Sequence, residues 1–69
     1  MKLTRRETVT FSLYAPDNKH LADLYVDPKY ADHVEDWMDT ELKNFQPKDY
    51  LEARDMLLLA EKTAKKVVK

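Results

Sequence analysis

With 69 residues and a formal net charge of −1, the chain has room for one domain, residues 1–69, around one small core. The absence of cysteine excludes disulfides and thiolate metal cages, and the absence of glycine excludes the glycine-rich loops that cradle phosphates. The opening residues Met1 to Arg6 run into alternating, not continuous, apolar positions. No signal-peptide core or membrane span is therefore expected, nor a membrane partner, and a cytoplasmic location is.

Two strand-like runs come first. Val9, Phe11 and Leu13 alternate with Thr8, Thr10, Ser12 and Tyr14, and Ala22, Leu24 and Val26 alternate with Leu21, Asp23 and Tyr25. This period of two marks half-buried strands. Between them, Pro16 to Lys19 reads as a type I turn in which Asn18 takes a positive φ. A three-residue loop, Pro16 to Asn18, would set Phe11 opposite Asp23. A four-residue loop, Pro16 to Lys19, pairs Leu13 with Ala22, Phe11 with Leu24 and Val9 with Val26. The second register gathers the apolar residues on one face, so it is the one expected for a hairpin over 8–26.

Asp27 followed by Pro28 marks an N-cap and first helical position, and Gln46 before Pro47 marks a stop, giving a helix over 28–45. Helical spacing sets Tyr30, Val34, Trp37, Met38, Leu42 and Phe45 on one face and Asp32, Glu35, Asp36 and Asp39 on the other. Asp32–Asp36 and Glu35–Asp39 are like-charge pairs at i, i+4, each costing an isolated helix roughly 0.2–0.5 kcal/mol. Glu41 falls inside the apolar stripe, and antiparallel packing predicts that it pairs with Arg54 and fixes the helix register.

A second helix is expected over 47–67, with Phe45 and Tyr50 as a hydrophobic staple around a Gln46 cap. Asp49 and Glu52 near its start, and Lys62, Lys65, Lys66 and Lys69 near its end, suit the helix dipole. Tyr50, Ala53, Leu57, Ala60, Ala64 and Val68 form its main stripe, which leaves Leu51, Leu58 and Leu59 outside. Together with Tyr14, Leu21 and Tyr25 on the outward side of the hairpin, these leucines point to self-association, and a homodimer is expected. The fold class is α+β: a two-stranded antiparallel hairpin on an antiparallel pair of helices, in the order β-β-α-α.

The charge is unevenly spread. Residues 1–15 carry +2 (Lys2, Arg5 and Arg6 against Glu7), residues 27–43 carry −4 (six acids against Lys29 and Lys43), and residues 61–69 carry +3 (four lysines against Glu61). His20 and His33 lie far apart, with no histidine pair at i, i+4 for zinc and no nucleophile–base–orienter set. No catalytic residue, cofactor or metal is therefore predicted, and the chain is expected not to be an enzyme. The acidic face (Asp32, Glu35, Asp36, Asp39) is the predicted partner-binding surface. It would dock on a basic, for example nucleic-acid-binding, surface of another protein, as an inhibitor or regulator does. The alternatives are a nucleic-acid-associated accessory protein using Lys2, Arg5, Arg6 and the C-terminal lysines, or a structural assembly subunit. Direct nucleic-acid contact is not expected, because charge without a recognition motif is weak evidence. In size, lack of cysteine and charge polarity the chain resembles phage-encoded inhibitors of host proteins, a likeness that carries over no residue.

Overall fold

The architecture was read from a computed structural model that describes residues 1–7 and 9–68. The elements run β1 (Lys2–Arg6), β2 (Thr10–Tyr14), β3 (His20–Tyr25), α1 (Pro28–Asn44) and α2 (Tyr50–Val67). The strands form one antiparallel sheet in the order β1-β2-β3, so the fold is α+β with three strands, not the two expected. The missed strand, β1, has one apolar residue, Leu3, among Lys2, Thr4, Arg5 and Arg6 and so lacks the alternation that betrays a strand. It forms because its partner β2 offers a free edge, and backbone pairing needs no particular side chain. Val9 N–H donates to the Arg6 carbonyl at 3.1 Å where the chain turns from β1, and Glu7 there has φ 55°. The expected first strand began at Thr8, which lies outside the described residues.

The second hairpin satisfies both candidate loops at once. Its tip is the three-residue loop: Asn18 N–H donates to Ala15 O at 2.8 Å, Ala15 N–H donates to Lys19 O at 2.8 Å, and Asn18 takes φ 67°. One residue further on, the register shifts. Tyr14 faces His20, but Leu13 faces Ala22, leaving Leu21 as an extra residue. Beyond this bulge Phe11 faces Leu24 and Val26 N–H bonds to Val9 O at 2.8 Å, the register expected from the four-residue loop. The bulge also corrects the placement of Leu21, which is half-buried and packs on the core instead of pointing outward.

α1 begins as read, with the Asp27 side chain accepting from Lys29 N and Pro28 in the first turn. It ends at Asn44, one residue early, because Phe45 turns to extended backbone (φ −144°, ψ 130°). Phe45 therefore leaves the stripe and is exposed. α2 begins three residues later than expected. Its cap is Asp49, not Gln46: Asp49 Oδ1 accepts from Glu52 N at 3.0 Å while Glu52 Oε1 accepts from Lys48 N at 3.1 Å. The Asp-x-x-Glu spacing of a capping box was present in the sequence at Asp49 and Glu52, although Glu52 accepts from Lys48 N and not from the cap residue itself. It outcompetes a glutamine that precedes proline.

Phe11, Leu13 and Val26 from the sheet, Val34 and Met38 from α1, and Leu57 from α2 are completely buried and form the centre of the core. The helices lie on one sheet face. Leu3 and Arg5 stand opposite Leu13 and Phe11 in the β1–β2 register, so they share that inner face. No described helix is long and apolar enough to cross a membrane.

Candidate functional site

The four acids expected to form one docking face are divided by the fold. Arg5, at the inner edge of β1, lies over the Phe11 ring at 5.6 Å and reaches α1, where Nη1 meets Asp32 Oδ1 at 2.9 Å and Glu35 Oε1 at 3.2 Å. The Arg5 side chain is 22% exposed. Its guanidinium is held above its ordinary pKa by the Asp32 hydrogen bond, against the cost of its own desolvation. Asp32 and Glu35 thus have a cation from within the chain. Asp36 turns the other way, toward α2, and Asp39 stands exposed.

Asp36 belongs to a groove between the two helices. Two adjoining concavities of about 310 and 330 Å³ share Trp37 and Glu41 as the ridge between them. Helical geometry builds this groove. With Val34 and Met38 aimed at the core, Trp37 and Asp36 fall to one side of α1; with Leu57 and Ala60 aimed at the core, Met56, Leu59, Glu52 and Asp55 fall on the facing flank of α2. Its apolar surface comes from Trp37, Phe45, Met56, Leu59 and Val67, and its acids are Asp36, Glu41, Glu52 and Asp55. Among the described residues no lysine or arginine lines either concavity, and His33 is the one described residue there able to carry positive charge.

The expected Glu41–Arg54 pair does not form. Arg54 stacks on Tyr50, one turn back on its own helix, at 5.6 Å, and no ion pair among the described residues includes Glu41. The reason is angular. Arg54 lies on the flank of α2 turned away from α1, whereas Glu52 and Asp55 lie on the near flank. Glu41 therefore lines the same concavity as two acids instead of pairing with a cation.

A second polar cluster occupies the outer face of the sheet. The completely buried Ser12 hydroxyl donates to Asp23 Oδ1, His20 Nε2 meets the same oxygen at 2.9 Å, and Arg6 Nη2 donates to Ser12 Oγ at 3.5 Å. The Tyr14 ring packs edge-on against His20 at 5.4 Å. His20 and Asp23 are three residues apart and would point to opposite faces of a regular strand. The bulge at Leu21 puts them on the same one. These hydrogen bonds, that of Ser12 first and that of His20 second, hold the Asp23 carboxyl below its ordinary pKa. The carboxylate sits between serine and histidine. Ser12 therefore has no imidazole base, and the order needed to activate a nucleophile is not present in this cluster. Among the described residues no group of three metal-ligating side chains comes together.

Of the residues expected to mediate self-association, Leu51, Leu58 and Leu59 are 55%, 45% and 50% exposed, Tyr25 is exposed and Tyr14 is half-buried. Leu59 belongs to the groove, and Leu51 and Leu58 do not. Lys69, counted with the basic end, lies outside the described residues. Sequence reasoning missed the groove acids Glu52 and Asp55, which stand with Leu59 at i, i+3 and i+7, a spacing visible in the chain. No family model matches the chain, and no curated protein or solved structure matches it.

Proposed function

We propose that this protein acts by binding another protein, without chemistry of its own, and that the groove between α1 and α2 takes a basic amphipathic segment of the partner. One observation carries this reading: four acids line an apolar groove in which no lysine or arginine lies among the described residues. Like charges lining one apolar groove repel, and a cationic partner relieves that repulsion. The apolar floor supplies affinity through burial, about 25 cal/mol per Å² of apolar surface. The acids supply orientation and selectivity against acidic or neutral segments. Asp39 extends the negative field along α1, whereas Asp32 and Glu35 contribute less because Arg5 offsets one of their two charges. The partner's basic surface would be of the kind that otherwise meets nucleic acid, which makes an inhibitor or regulator the role in view.

Trp37 is the single tryptophan of the chain and lines both halves of the groove, so its fluorescence reports occupancy directly. Titration with a helical peptide of leucine and lysine should shift Trp37 emission saturably, and added salt should weaken the effect. A peptide in which glutamate replaces lysine should give no shift. Equal responses to both peptides, or to neither, would overturn the reading.

A further inference from the structure

α2 carries a second apolar surface that the groove does not use. At 100° per residue, Arg54, Lys65, Leu58, Leu51 and Lys62 fall within an arc of about 80° on the flank away from α1, and no acid falls inside that arc. Leu51 and Leu58 are about half exposed, and Arg54, Lys62 and Lys65 are exposed. One helix thus contributes Glu52, Asp55 and Leu59 to the groove on one side and presents a basic apolar flank on the other. We propose that the basic flank of α2 in one copy occupies the α1–α2 groove of a second copy, so that the chain assembles head to tail. This inference rests on the groove's preference for basic amphipathic segments and names one such segment, the protein's own.

The charge pattern decides the geometry of the assembly. A symmetric groove-to-groove contact would bring Asp36, Glu41, Glu52 and Asp55 against the same four acids. A symmetric flank-to-flank contact would bring three cations against three. Like charges across an interface oppose association, whereas groove against flank pairs acids with cations over two apolar surfaces. A heterologous contact of this kind does not close on itself at two copies, and it builds rings or open chains. Because the two surfaces lie on different sides of the same helix, a copy whose groove is filled still offers its own flank. Assembly and partner binding then compete for one groove, and a basic partner would dissolve the assembly.

Two variants of the full chain test this. In the flank variant, Leu51, Leu58, Lys62 and Lys65 are all changed to glutamine, which keeps helix propensity while removing charge and apolar surface. In the groove variant, Asp36→Lys and Asp55→Lys reverse the groove. Circular dichroism checks that each remains folded. Sedimentation velocity of the parent should show mass rising with concentration past the dimer and falling with salt. Each variant alone should stay monomeric where the parent assembles. An equimolar mixture should form a 1:1 pair and stop there, since one intact groove meets one intact flank. Continued assembly of either folded variant alone, or a mixture that stays monomeric, would overturn the proposal. A strictly monomeric parent whose Trp37 still responds to the leucine–lysine peptide would overturn self-association and leave the groove reading standing. A mixture that pairs while the peptide gives no response would do the reverse.

Discussion

The outer face of the sheet and the groove between the helices both carry charged side chains, yet they differ in how those charges are satisfied. On the sheet, Ser12, His20 and Asp23 share hydrogen bonds, Arg6 reaches Ser12, and the carboxylate is stabilised by its neighbours. In the groove, Asp36, Glu41 and Asp55 line the same walls as Trp37 and Leu59 without an ion pair among the described residues, and Glu52 spends one oxygen on the α2 cap. α1 shows the same contrast within one helix: Arg5 bridges Asp32 and Glu35, while Asp36 one turn on from Asp32 has no such partner among the described residues. The lesson is that acidity alone does not mark a docking surface. Acidity that the fold leaves unpaired beside exposed apolar area is the firmer basis for proposing one.

The largest expected effect removes the support that both surfaces share. Phe11 is completely buried beneath Arg5, and Phe11→Ala should cost about 3–5 kcal/mol, enough to unfold a small domain. Chemical denaturation of a variant that unfolds cooperatively at the parent midpoint would show that Phe11 is not what the two surfaces rest on.

Groove reversal by Asp36→Lys and Asp55→Lys separates the surfaces. Affinity for the leucine–lysine peptide should fall at least tenfold, or about 1.4 kcal/mol. The thermal midpoint should hardly move, since exposed charges contribute little to folding. The tip of the β2–β3 hairpin should behave the opposite way. Asn18→Ala places a β-carbon in the left-handed region and should cost about 1 kcal/mol, whereas Asn18→Gly should be tolerated. Peptide binding by the folded Asn18 variants should match the parent's.

The pH dependence of stability should arise in part from the sheet face. Because the folded-state pKa of Asp23 lies below its ordinary 3.8, its contribution is present above that value and is lost as pH falls through the lowered one. In acid titrations followed by circular dichroism, Asp23→Asn should therefore flatten the loss of stability below about pH 4. The smallest expected effect is a coupling energy. A double-mutant cycle of Glu41→Leu and Arg54→Leu should be additive within about 0.5 kcal/mol, because the two side chains have different neighbours. A larger coupling would mean that the groove has an internal cation after all.

Local rules reached some of the structure from the chain alone. The Asp27–Pro28 start of α1, the positive φ of Asn18 and the pairing of Phe11 with Leu24 follow from capping, turn chemistry and apolar alternation, which act over a few residues. The apolar stripe likewise foretold that Val34, Met38 and Leu57 would be buried. Tertiary structure decided the rest. β1 exists because β2 has an edge to pair, although its own sequence lacks the apolar alternation of a strand. The bulge at Leu21 reconciles a three-residue tip with the core register and so turns His20 toward Asp23. The rotation of α2 against α1 sets Glu52 and Asp55 beside Glu41 and carries Arg54 away to Tyr50. Helical periodicity specifies which residues share a flank, but not which flank a neighbouring helix will face. That choice is made by core packing, and with it the chain gains both a groove of unpaired acids and a basic flank.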